Sequence, residues 1–152
     1  MMKKLSGGYT LMELIIVIVI MTIILAVSFY FIPQWGKKDA LEKDVAGLSA
    51  FIRDAQMLSV TSKNAMPFGI HLQNDKVVLF EGSTYVAGGA NEKVMAFSNK
   101  VYLYGYSLNG GGSDIIFTRL TGATANFGTI TLSLKDNSAS TTVTVLQTGI
   151  IQ

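Results

Sequence analysis

The chain has 152 residues, 49% of them apolar and 14% charged, with a formal net charge of +2 at pH 7. That balance is too apolar for a disordered chain, and twelve basic against ten acidic residues is not the footprint of a nucleic-acid binder. With no cysteine and a single histidine, His71, disulfide scaffolds, Cys-ligated zinc, thiol nucleophiles and multi-histidine metal sites are excluded.

The chain opens on Met1–Gly8, MMKKLSGG, a short basic segment ending in two glycines. From Leu14 to Ile32 no residue is charged, and only Thr22 and Ser28 are plainly polar. At 1.5 Å rise per residue this run makes roughly 28 Å of helix, about the hydrocarbon thickness of a bilayer. Ala26-Val27-Ser28 is a small-residue triplet of the kind a secretory signal carries at its cleavage site. The apolar run continues past it, though, and is long for a signal core. A short basic N-terminus belongs in the cytoplasm, and a long C-terminal domain can translocate despite flanking charge. Glu13 is the only charge between Tyr9 and Ile32. A carboxylate in the apolar core costs about 2.5–3.5 kcal/mol, so it either has a partner or sits at headgroup depth near the helix start. Gly8, without a side chain, suits entry into a protease site or a flexible joint before the helix.

Pro33 and Gly36 break or bend the helix. From Asp39 to about Val60 the pattern is amphipathic: Leu41, Val45, Leu48, Ile52 and Ala55 share one helical face, which Phe51 and Leu58 widen. Lys38, Glu42, Lys43, Asp54 and Gln56 read as solvated. Gly47 costs about 1 kcal/mol relative to Ala, tolerable if something packs closely against it. Beyond Ala65 the period is two. Phe68, Ile70 and Leu72 alternate with polar or small residues. Lys76–Glu81, Lys93–Phe97, Val101–Leu108, Asp114–Arg119, Thr129–Lys135 and Thr141–Gln147 also read as strands. The pattern predicts an α+β fold: a long N-terminal helix, transmembrane first and amphipathic second, packed on an antiparallel β-sandwich of about seven strands. Tyr102, Tyr104 and Tyr106 fall on one face of a regular strand, opposite Val101, Leu103 and Gly105. They are assigned to the core face or to a cover for the helix, with an interaction surface as the alternative.

Gly8-Tyr9-Thr10-Leu11-Met12-Glu13-Leu14 followed by the apolar helix resembles the type IV prepilin signal, usually glycine, phenylalanine, then T-L-x-E. Tyr9 and Met12 depart mildly from it, and the helix lacks the mid-span proline common in that family. Phe51-Ile52-Arg53-Asp54-Ala55-Gln56, the strand near Phe68, and the tail from Gly128-Thr129-Ile130 to Gly149-Ile150 are similar to the GspH/FimT-like minor pseudopilins. The resemblance implies prepilin peptidase cleavage between Gly8 and Tyr9, N-methylation of Tyr9, and an assembly role for Glu13. There the glutamate would pair with the Tyr9 amine of a neighbouring subunit. It implies as partners other pilin or pseudopilin subunits, the peptidase, an inner-membrane assembly platform and the lipid bilayer, with no nucleic acid. The organisation expected is a leader at 1–8, a transmembrane helix at 9–33, an amphipathic helix at 34–64 and a β-domain at 65–152. The N-terminus would be cytoplasmic, and the C-terminal domain periplasmic or extracellular.

Chemical sites are sparse. His71 falls on the polar face of an alternating strand and reads as exposed, while Asp114, Asp136 and Asn137 read as solvated turn residues without calcium-loop spacing. Asn109-Gly110-Gly111-Gly112 lacks the Lys-Ser/Thr of a phosphate-binding loop. No enzyme activity, cofactor or metal is expected. The function implied is a structural subunit of a type IV pilus-like or type II secretion pseudopilus filament. The alternative is a single-pass, membrane-anchored β-domain that binds a ligand or partner without polymerising.

Overall fold

The computed structural model describes residues 9–89 and 91–152. Helix α1 runs from Leu11 to Val60, and neither Pro33 nor Gly36 ends it. A proline forfeits one helical hydrogen bond, and the remaining turns carry the helix through. The chain divides into two units after Gly36. In the first, the apolar side chains from Leu11 to Val27 are all exposed. Leu11–Ser28 has a mean hydropathy of 2.9 with none of it buried, and is long and apolar enough to cross a membrane.

The second unit, Lys37–Gln152, has one buried core. The helix contributes Leu41, Leu48, Ile52 and Ala55, each at most 3% exposed, with Val45, Phe51 and Leu58 packed at the margin. The stripe read from the sequence is the buried one. A Cβ on Gly47 would lie 2.5 Å from Met95 Cε, so this glycine makes room for that side chain. At the helix end, Ser59 Oγ accepts from the Phe68 amide at 2.9 Å, joining helix to strand. A 3-10 turn, Lys63–Ala65, then leads into the sheets.

Among the described residues, seven strands form two antiparallel sheets. β1 (Phe68–Leu72), β2 (Lys76–Glu81), β3 (Lys93–Ala96) and β5 (Asp114–Phe117) lie in the order β3-β2-β1-β5. β4 (Val101–Leu108), β6 (Gly128–Leu134) and β7 (Ser140–Val145) lie in the order β4-β6-β7. Inward residues of both sheets, among them Ile70, Leu79, Ile115, Ile130, Leu132 and Val143, join the helix stripe in one cluster.

Expectations for the helix and for β4 need correction. Gln56 is half-buried, its Nε2 donating to the carbonyls of Gly122 and Thr148 at 3.2 Å each. Asp54 is half-buried too, paired with Lys93 at 3.0 Å. Both lie beside the stripe, where Gln56 reaches the loops at Gly122 and Thr148 and Asp54 reaches the start of β3 at Lys93. The tyrosines of β4 do not share a face. The ladder with β6 is regular through Leu103↔Leu132, then resumes at Gly105↔Thr131, which leaves Tyr104 as a bulged extra residue. The bulge inverts the alternation. Val101 and Leu103 point inward before it; after it the register puts Tyr106 opposite buried Ile130, on that face of the sheet but 42% exposed. Tyr102 and Tyr104 are left on the outer face, beside the hydroxyls of Thr129, Thr131 and Ser133 on β6 and Ser140, Thr142 and Thr144 on β7.

Candidate functional site

The N-terminal stem is built by its first turn. Thr10 precedes the helix, and its Oγ1 accepts from the Glu13 amide at 3.3 Å. Its carbonyl accepts from Glu13 and Leu14 at 3.1 and 3.3 Å. Thr10-Leu11-Met12-Glu13 is thus a helix N-cap of the T-x-x-E form, whose threonine satisfies an amide that has no intrahelical partner. Thr10 was not singled out from the sequence, although threonine three residues before glutamate at the head of an apolar run is its signature. The cap defines where the helix begins, and so sets Glu13 in the first turn, where a negative charge faces the positive end of the helix dipole.

Tyr9, Glu13 and Val17 recur every four residues and, with Leu14, line one shallow groove along the stem. Tyr9 is 85% exposed. The two other polar side chains of the span satisfy themselves. Thr22 Oγ1 donates to the Val19 carbonyl at 2.8 Å, and Ser28 Oγ to Ile24 at 2.9 Å. Among the described residues, the Glu13 carboxylate makes no hydrogen bond or ion pair. Among the described residues the stem is therefore an exposed apolar helix with one unpaired carboxylate near its start. Gly8, the expected cleavage position, lies outside the described residues, as does the rest of Met1–Gly8.

Outside the stem, His71 is not exposed. It is half-buried, its Nδ1 2.5 Å from Asp114 Oδ1 and 3.4 Å from Ser113 Oγ, and its ring stacks on Tyr85 at 4.0 Å. Asp114 opens β5 instead of sitting in a solvated turn, because the β1–β5 register puts it directly opposite His71. Asp136 does occupy an exposed turn, yet it pairs with Lys37 at 2.7 Å. The hydrogen bond from Lys37, then those from the Ser138 hydroxyl and amide, hold its carboxyl well below the usual carboxylate range. Asn137 accepts from the Tyr102 hydroxyl at 2.9 Å. Among the described residues no group of three His, Asp or Glu side chains stands where it could hold a metal ion.

The family model for the prokaryotic N-terminal methylation motif matches residues 3–29. Among solved structures, the chain is similar to the minor pseudopilin EpsH from the type 2 secretion system of Vibrio cholerae. The TM-score is 0.57 and the sequence identity 10%, over 74% of this chain and 94% of that one. Comparison with curated protein sequences gives no match. At 10% identity the likeness is one of fold, and the residues of the N-terminal stem carry the rest. The chain carries the prokaryotic N-terminal methylation motif, and it has the fold of a minor pseudopilin.

Proposed function

We propose that this chain is a structural subunit of a type II secretion pseudopilus or a type IV pilus-like filament, held in the membrane and assembled through its N-terminal helix. The observation that carries the reading is the stem itself. The methylation motif, residues 3–29, takes in an apolar helix whose side chains from Leu11 to Val27 are exposed, and among the described residues Glu13, on the same stripe as Tyr9, has no hydrogen-bond or ion-pair partner. Exposed apolar surface of that extent requires lipid or other helices around it.

In this reading residues 1–8 are a leader removed by prepilin peptidase between Gly8 and Tyr9, and the new Tyr9 amine is methylated. Residues 9–33 span the inner membrane, with the leader cytoplasmic and the β-domain outside. Residues 34–64 carry the helix onto the β-domain, residues 65–152. Each mature subunit then brings one cation, at Tyr9, and one anion, at Glu13, to the same depth. An axially staggered neighbour presents its Tyr9 amine to this Glu13. In low dielectric the pair serves mainly as register, because a subunit slipped by one turn leaves both charges unpaired. The assembly platform and companion subunits are the partners.

Mass spectrometry of the membrane-extracted chain tests this reading. A mature chain beginning at methylated Tyr9, and an uncut precursor when Gly8 is replaced by a bulky residue, are expected. A chain that keeps Met1 would instead favour an uncut anchor carrying the same β-domain.

A further inference from the structure

We propose that the outer face of the β4-β6-β7 sheet binds a neutral saccharide, in the shallow depression lined by Tyr104, Thr131, Ser133, Asn137 and Ser140. The proposal does not depend on filament assembly. The volume is about 360 Å³, at the small end of ligand pockets and matched to one or two sugar rings.

The platform is built before any ligand arrives. The bulge sets Tyr104 on the outer face, 65% exposed, and Tyr102 braces it edge-on, with ring centroids 6.2 Å apart at 66°. Tyr102 in turn donates its hydroxyl to Asn137 Oδ1, which holds the amide at the rim with its N–H groups available. The Thr131 and Thr142 hydroxyls lie 2.9 Å apart and share one hydrogen bond, which leaves one of their two O–H donors and several lone pairs for a ligand. Ser133, 3% exposed, forms the floor of the depression and spends its donor on the β6–β7 turn, toward the carbonyls of Leu134 and Ala139.

Complementarity selects the occupant. No charged side chain lines the depression, so an anionic or cationic ligand would lose its hydration with no counter-charge to replace it. A purely apolar ligand would bury these hydroxyls without partners, which costs more than the contact returns. A neutral sugar ring offers what the surface lacks, a C–H face for Tyr104 and hydroxyls for the threonine, serine and asparagine groups. Because the tyrosine pair and the asparagine are already positioned, little ordering is needed on binding.

The test uses the full-length chain in phospholipid nanodiscs, since maltoside detergents are themselves sugars. Maltotriose, cellotriose and triacetylchitotriose are the neutral probes and sialyllactose the charged one, with saturation-transfer NMR as the readout. At least one neutral probe should receive saturation at millimolar concentration. Tyr104→Ala should weaken its binding by about tenfold, the loss of one aromatic platform. Tyr104→Phe, which keeps the ring and the fold, should bind nearly as wild type. Failure of all three neutral probes would overturn the proposal, as would binding unchanged in Tyr104→Ala. So would a wild-type chain that transfers no saturation to any neutral probe while Tyr104→Ala loses cross-links to companion subunits, because the face would then be a subunit contact.

Discussion

His71 Nδ1 lies 2.5 Å from Asp114 Oδ1, directly across the β1–β5 ladder, while the histidine ring stacks on Tyr85 from the long β2–β3 loop. Tyr85 also meets Phe80 edge-on, with 5.6 Å between centroids. His71 therefore joins Asp114 on an edge strand to the loop whose Tyr85 also packs on Phe80. Asp114→Asn and His71→Ala should each cost about 1–2 kcal/mol, as expected for a half-buried hydrogen bond to a charged group. Urea denaturation measures the cost. Hydrogen exchange should show faster opening of the β2–β3 loop in both variants, and an unchanged loop would sever Tyr85 from the pair.

The Lys37–Asp136 pair predicts a local pH effect. A carboxyl held lower in the folded chain contributes stability above its ordinary value, near 3.8, and loses that contribution as pH falls through the folded value. Lys37→Ala should return the Asp136 titration toward the ordinary carboxylate range, as followed by NMR. Both side chains are about two-fifths exposed, at 44% and 40%, so solvent screens the pair and global stability should barely move. A large fall in melting temperature would contradict this.

Gly149 sits at φ +82, and a Cβ there would lie 2.2 Å from the Gly122 carbonyl and 2.3 Å from Gln56 Nε2. Gly149→Ala should therefore cost about 2–3 kcal/mol, from backbone strain and overpacking together. Gln56→Ala, which only removes two hydrogen bonds, should cost about 1 kcal/mol. Equal thermal stability of the two variants would show that the closing turn can shift.

The bulge in β4 makes deletion of Tyr104 a sharp test. Without it, Leu103, Gly105 and Tyr106 follow the regular alternation against Leu132, Thr131 and Ile130. The deleted chain should fold cooperatively, with the near-ultraviolet signal of the outer tyrosine pair lost. Deleting buried Leu103 should unfold the small sheet, because Tyr104 would then face the core.

Glu13→Leu should insert into the membrane as well as wild type, since leucine is favoured in lipid. It should still be cleaved, and should fail to cross-link into sheared filaments. Equal recovery of variant and wild type in those filaments would remove Glu13 from assembly.

Local patterns made much of this chain legible. The apolar run from Leu14 to Ile32 follows from length and the absence of charge, and the buried stripe through Leu41, Leu48, Ile52 and Ala55 and the strand segments follow from periodicities of 3.6 and 2, all of which depend only on neighbours in sequence. The motif ending at Glu13 is equally local, and the Thr10 cap beside it was written there as T-x-x-E. What sequence alone could not decide were pairings across long separations. His71 read as exposed because its own strand does not reveal that Asp114, from a strand more than forty residues on, would stand opposite it, or that Tyr85 would fold over it. Gln56 read as solvated because the carbonyls it meets, Gly122 and Thr148, reach the helix only when the last loops close. The tyrosines of β4 were misassigned because a bulge is a property of two paired strands. One extra residue against β6 inverts the alternation within a single strand, so Tyr106 faces Ile130 while Tyr102 and Tyr104 face outward.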